Sequence, residues 1–223
     1  MSDTVTIRRL DGDAAMARVN ALADVLVDCV EGGASVSFML PLPREKALAF
    51  WRGVAEAVAR DERVLLVAED RDGAIAGTVQ LIVAQPDNQP HRADVAKMLV
   101  HRRARRRGVA QRLMEAIEHV AREEGKTVRG RDTVTGGDAE RLYARAGWQR
   151  AGVVPDYALM PDGALCDTTF YYRLLWRARS IGIGAGLAAR PLPHHRAYGS
   201  VHGGSDRLPD YDEPTDGTPS ERK

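Results

Sequence analysis

The chain has 223 residues, 44% of them hydrophobic and 28% charged, which suits one globular domain with some excess and excludes a collagen-like or wholly disordered chain. Net charge is +1, so any basic cluster is local and a dedicated nucleic-acid binder with a broad basic face is not expected. Cys29 and Cys166 are the only cysteines; with no leader pattern and no run of about 18 apolar residues, neither a disulfide framework nor a membrane span is expected, and the default is a cytoplasmic protein.

Val5 and Ile7 alternate with polar residues, a strand pattern. Over 13–30 the apolar positions Met16, Val19, Ala23, Leu26, Val27 and Val30 recur at helical spacing, predicting one helix ended by Gly32-Gly33. Beyond Pro41 and Pro43, Leu48, Trp51, Val54, Ala55 and Val58 predict a second helix. The apolar run 64–68 predicts a buried strand, 70–73 carries turn chemistry, and 75–83 is the returning strand of a hairpin. After a loop at 86–90, 93–100 reads as a further strand. Arg102, Arg103, Arg105, Arg106 and Arg107 follow, and Gly108-Val109-Ala110 open an amphipathic helix that buries Val109, Leu113, Ile117 and Val120. Residues 126–132 read as a weak strand, because Arg129, Gly130 and Arg131 interrupt the apolar pattern. A short helix over 138–146 ends at Gly147. Strands at 149–154 and 168–175 flank a turn at Pro161-Asp162-Gly163. The order β-α-α-β-β-β-α-β-α-β-β predicts an α/β domain over 1–177 with a strand–helix–strand crossover at its centre. From 178 the character changes. Residues beyond Arg190 hold five of the 11 prolines with many Gly, Ser and Asp, the composition of a disordered tail. Its His194, His195 and His202 read as incidental, and no metal is expected.

The arginine burst is electrostatically misplaced. A helix start carries roughly half a positive charge, and cations there typically cost about 0.3–1 kcal/mol each. The same free N–H groups favour an anion. The arrangement is sensible when an anionic ligand, phosphate above all, sits at this turn.

Arg105-Arg106-Arg107-Gly108-Val109-Ala110 fits the pattern Q/R-x-x-G-x-G/A. Placed between a strand and a helix, this resembles the acetyl-CoA pyrophosphate loop of the GNAT N-acetyltransferase superfamily. The element order and Leu142-Tyr143 followed by Ala146-Gly147-Trp148 resemble the same superfamily over residues 5–175. Residues 32–36 (Gly-Gly-Ala-Ser-Val) with Phe38-Met39, 91–95 (His-Arg-Ala-Asp-Val), Asp132-Thr133 and Pro161-Asp162-Gly163 look like the tabtoxin-resistance-type acetyltransferases, which acetylate a small amino-acid-like toxin.

The resemblance implies a GNAT fold, a central mixed twisted sheet of about seven strands flanked by helices, and acetyl-CoA as co-substrate. Backbone groups of Arg105, Arg106, Arg107, Gly108, Val109 and Ala110 would ring its pyrophosphate, with Gly108 and Ala110 keeping side chains clear. Arginines of this turn would meet the 3′-phosphate. Met98, Leu99 and Val100 would offer a strand edge to the pantetheine arm, the Leu99 N–H polarising the thioester carbonyl. Tyr143 would protonate the departing thiolate, and Asp94 or Asp132 would take the proton of the attacking amine and line the acceptor site. Ser35 and Phe38, in the loop between the first two helices, would border the acceptor, with Ser37 beside them.

The implied activity is direct acetyl transfer to a primary amine of a small amino-acid-like molecule, a toxin or antibiotic among them, by a monomer or homodimer without nucleic-acid or membrane partners. A protein lysine or N-terminus is the rival acceptor. A non-catalytic acyl-CoA-binding module is the rival class, disfavoured by Tyr143 and the two acidic residues. A nucleic-acid binder through 102–107 is disfavoured by the near-zero net charge and the absence of interleaved aromatics.

Overall fold

Alternation of side chains across the strands sets the architecture, because each strand sends successive residues to opposite faces. The computed structural model describes residues 5–175. The domain boundary expected at 177/178, the tail and its three histidines lie outside the described residues. Strand β1 (Thr6–Leu10) leads into α1 (Gly12–Ala17), whose start is capped by Asp11 accepting the Ala14 N–H at 2.8 Å. Helices α2 (Val19–Glu31) and α3 (Arg44–Ala59) follow. The single helix expected over 13–30 is therefore two. The break falls at Arg18, which leaves helical geometry and donates to the Glu69 carboxylate at 2.7 Å and the Gly73 carbonyl at 2.8 Å.

The remaining elements are β2 (Arg63–Glu69), β3 (Ile75–Ile82), β4 (Arg92–Val100), a 3-10 turn (Arg102–Ala104), α4 (Val109–Glu123), β5 (Val128–Val134), α5 (Asp138–Arg145), β6 (Gln149–Leu159) and β7 (Leu165–Leu174). The last two strands are longer than their apolar patterns indicate, since their ladder is carried by backbone bonds on a largely exposed edge. One seven-stranded sheet forms, in the order β1-β2-β3-β4-β5-β7-β6. Every neighbouring pair is antiparallel except β4 and β5, which run parallel across the crossover through α4. The sheet is thus mixed, as expected, and predominantly antiparallel.

Two cores sandwich the sheet. Leu65 and Val67 of β2 pack with α1–α3 around the fully buried Trp51. Val64, Leu66 and Ala68 pack on the other face with α4, Tyr143 and Trp148. Each fully buried large side chain contributes about 1.5–3 kcal/mol. No helix among the described residues is long and apolar enough to cross a membrane.

Candidate active site

The sheet opens at its centre. Strands β4 and β5 pair at three positions only, Arg92 with Val128, Ala93 with Arg129 and Asp94 with Gly130. Beyond Asp94 the two strands part, β5 staying with β7 to Val134 and β4 staying with β3 to Val100. Met98 and Val100 thereby turn backbone groups to the unmatched β5 side, suited to an extended amide-bearing ligand. Leu99 instead pairs with Thr78 and, like His101, whose N–H bonds the Ala76 carbonyl at 3.0 Å, faces β3, so the expected role of the Leu99 N–H does not fit the register.

Strand β4 also carries a bulge. Thr78 pairs with Leu99 and Gln80 with Ala96, so Lys97 and Met98 stand opposite the single residue Val79. Lys97 takes φ +47°, a left-handed conformation that costs an ordinary residue about 1–2 kcal/mol. The extra residue shifts the phase of the strand. Ala93 and Val95 face α4, whereas Lys97 turns to the α1–α3 side, where its ammonium lies 5.8 Å from the Phe38 ring and 5.6 Å from the Phe50 ring. It donates to Ser37 Oγ at 3.1 Å. Burial, ahead of neighbouring charges, holds its pKa below the usual lysine value.

The C-terminal end of β4 leads into the arginine turn, where the five arginines divide. Arg102 is bound to α2: its backbone N–H and Nε reach the Asp28 carboxylate at 2.7 and 2.8 Å. Arg103 donates to the Ile75 carbonyl at 3.0 Å and pairs with Asp70 at 3.4 Å. Arg105 donates to the Val100 carbonyl at 3.3 Å, and Arg106 adopts φ +62°. Gly108 caps α4 at φ +77° with no side chain across the helix start, leaving the first N–H groups of Val109 and Ala110 to an outside acceptor. Arg105, Arg106 and Arg107 are all exposed around that end. A cleft of about 420 Å³ runs from Gln111 between α4 and α5, past Met114, Leu142 and Arg145.

Tyr143 of α5 stands on the α4 side of the opening. It is fully buried, stacked obliquely on Trp148 and Tyr171, and its hydroxyl has no hydrogen-bond partner among the described residues. The Arg131 guanidinium sits 4.7 Å from its ring centroid. Burial first, with the Asp132 charge adding to it against Arg131, raises the phenol above its ordinary pKa.

The two carboxylates differ. Asp94 pairs with Arg92 at 3.2 Å and accepts from Gln85 at 3.3 Å. A Cβ on Gly130 would come within 2.8 Å of its Oδ1, which accounts for the glycine inside β5. Asp132, two residues further along the same face as Gly130, is exposed and acts electrostatically on both Tyr143 and Lys97. Arg129 and Arg131 alternate to the α4–α5 face, so Asp132 shares the opposite face with Lys97. Ser35 donates to the Leu159 carbonyl at 3.1 Å, fixing the 32–39 loop to the β6–β7 hairpin. Phe38 is buried edge-on against Phe50.

Tyr143, Asp132 and the Val100 end of β4 therefore border the opening, with Phe38 and Lys97 on the α1–α3 side, while Asp94 lies at its closed end in its own ion pair. Sequence reasoning missed Lys97, whose one signal was a lysine interrupting the apolar run of β4.

Known proteins resemble the chain in sequence and in fold. Residues 61–150 match a family model described as an acetyltransferase (GNAT) domain. A protein of Azospirillum brasilense, named an uncharacterized N-acetyltransferase in the hisH-hisA intergenic region, is 35% identical over 127 residues, covering 54% of this chain and 70% of that one. Among solved structures, yncA of Salmonella typhimurium, with its cofactor acetyl-CoA, superposes with a TM-score of 0.65 at 20% identity, covering 80% of this chain and 98% of that one. A ribosomal-protein-alanine N-acetyltransferase of Brucella melitensis gives 0.62 at 23%, covering 76% and 99%. These two share the fold.

Proposed function

The chain belongs to the GNAT acetyltransferases and is an acetyl-CoA-dependent N-acetyltransferase, and from that premise we propose that its acceptor is the primary amine of a small amino-acid-like molecule, attacked directly while both substrates are bound. The observation that carries this reading is the opening between β4 and β5, with the orphaned Tyr143 hydroxyl on one side and Asp132 on the other.

Acetyl-CoA supplies the acetyl group as an activated thioester. The bare start of α4 with Arg105, Arg106 and Arg107 holds the phosphates by N–H donation and charge. The unmatched edge at Met98 and Val100 receives the pantetheine amides, and an N–H of that edge polarises the acetyl carbonyl in place of the Leu99 N–H, which faces β3. The amine is protonated at neutral pH; Asp132, directly or through water, takes one proton to free its lone pair. As the new N–C bond forms and the C–S bond breaks, Tyr143 gives its proton to the sulfur and regains one, directly or through water, from the nitrogen as that becomes the amide. Asp94, already engaged by Arg92 and Gln85, serves the site by holding the last paired step of β4 and β5. Ser35, tied to the Leu159 carbonyl, and Phe38, edge-on to Phe50, border the acceptor in this reading, and an amino-acid-like toxin of the kind handled by the tabtoxin-resistance-type enzymes falls in this class.

The test is release of the CoA thiol from acetyl-CoA by the full chain, offered free amino acids, a polyamine and a lysine-rich peptide in turn. Turnover is expected on small amino-acid-like amines. Faster acetylation of the peptide than of every small amine would overturn the acceptor class, and absence of turnover on all of them would overturn the catalytic reading.

A further inference from the structure

We propose that Lys97 is the anchor for an anionic group on the acceptor, a carboxylate beside its amine, so that the site takes small zwitterions and rejects purely cationic amines. The inference rests on the small-acceptor reading above and adds the charge pattern that the acceptor must carry.

The side chain is placed at a cost. Lys97 occupies the left-handed position of the β4 bulge, where glycine is the unstrained residue. Strain kept at one non-glycine position, aiming one charged group into a site, marks that group as useful there. The ammonium is also under-partnered. It offers three N–H donors, yet among the described residues Ser37 Oγ is its only hydrogen-bond acceptor, at 3.1 Å, and no carboxylate lies within ion-pair distance. The rings of Phe38 and Phe50 flank it on the inner side. A half-buried ammonium with spare donors favours an incoming oxyanion, and partial exclusion of water strengthens that pair.

The surrounding field has the same sense. Arg63 and Arg131 act on Lys97 as further positive charges, opposed by Asp132. Lys97 and Asp132 share one face, one on each side of the opening. Opposite charges on one face suit an acceptor that carries an ammonium and a carboxylate together, as an α-amino acid does. Its ammonium goes to Asp132, the proton acceptor, and its carboxylate to Lys97. A diamine or lysine side chain would place a second cation against Lys97 instead. Partial burial, which disfavours the Lys97 ammonium, adds to the gain from an arriving carboxylate.

The experiment compares L-leucine and L-phenylalanine with their α-carboxamides as acceptors for the wild-type chain and for Lys97→Met, Lys97→Arg and Lys97→Gly. Calorimetric binding of the same compounds to the CoA-loaded proteins is measured in parallel. Comparing variants on one pair of compounds cancels the difference in amine basicity between acid and amide. The acid-over-amide ratio of kcat/KM, and of affinity, is expected to fall at least tenfold in Lys97→Met and to recover in Lys97→Arg. Lys97→Gly is expected to lose the same preference while its Tm rises, an outcome that a merely structural lysine would not give. Acid binding that is Lys97-dependent without acetyl transfer would sink the transferase reading and leave the anchor standing. Transfer with an unchanged acid-over-amide ratio in Lys97→Met would sink the anchor alone. Acid binding equal in wild type and Lys97→Met, or undetectable in both, would also overturn it.

Discussion

A fully buried phenol with no partner for its hydroxyl forfeits about 1–3 kcal/mol unless something binds there. Tyr143 is in that position, and its proposed partner is the departing sulfur. Tyr143→Phe is expected to lower kcat about 100-fold, the lower end of what a positioned acid contributes. Acetyl-CoA affinity should stay within a factor of about two and thermal stability should hold or rise slightly; both are read by calorimetry and melting. Burial raises the phenol above its ordinary pKa, so it remains a loaded acid through neutral and mildly alkaline solution. The kcat–pH profile is expected to show no descending limb from Tyr143 below about pH 10. A limb near pH 8 that disappears in Tyr143→Phe would contradict this. Residue identity made Tyr143 visible in the sequence, because its spacing to Gly147-Trp148 is local. Lys97 was not, since nothing in its identity announces a left-handed bulge; a glycine or asparagine would have.

At the scale of elements, the arginine turn shows how a local pattern acquires two functions. Arg102 and Arg103 bind Asp28 of α2, the Ile75 carbonyl and Asp70, and only the arginines that follow surround the start of α4. Asp28 lies 74 residues from Arg102, so the clamp was invisible to a reading of neighbours, and the excess of arginine over the phosphate pattern had no explanation until the chain folded. Burial alone would raise the Asp28 pKa, but the Arg102 backbone and side-chain bonds prevail and leave it lowered. A carboxylate lowered on folding stabilises above its unfolded value near pH 4, and that stability is lost as pH falls through the lower folded value. Asp28→Asn is expected to cost about 1.5–3 kcal/mol at neutral pH by removing charge-assisted bonds. It should also flatten the acid limb of the stability curve and weaken acetyl-CoA binding severalfold; chemical denaturation across pH and calorimetry check this. The break between α1 and α2 has the same origin: periodicity runs through it, and Glu69 and Gly73, which hold Arg18, are far along the chain.

Across the whole molecule, the polar strand that fitted the sequence pattern worst is the best buried in charge. Arg129 of β5 is fully buried, 3.3 Å from Glu118 of α4 and stacked on Trp148, and Glu118 also pairs with Arg122 and with Arg173 of β7 at 2.9 Å. Burial, ahead of the opposing pull of Glu118, brings the Arg129 pKa down to about 10. Apolar periodicity therefore traced the first half of the sheet, while β5 is held by a buried ion network that hydropathy reads as surface. Glu118→Gln is expected to cost about 3–5 kcal/mol, leaving Arg129 buried without its counter-charge, whereas Arg129→Met should cost markedly less; urea denaturation separates the two. The parting of β4 from β5 has a last consequence. Its unpaired amides form an edge in the middle of the strand order rather than at its rim, between two strands that are themselves paired on their other sides. Those of 95–100 that point into the gap should exchange with deuterium faster than their alternates bonded to β3, and slow once acetyl-CoA is added. The protein thus keeps, inside its own sheet, a place for one missing strand, and on the proposed reading the extended arm of a small molecule takes that strand's part.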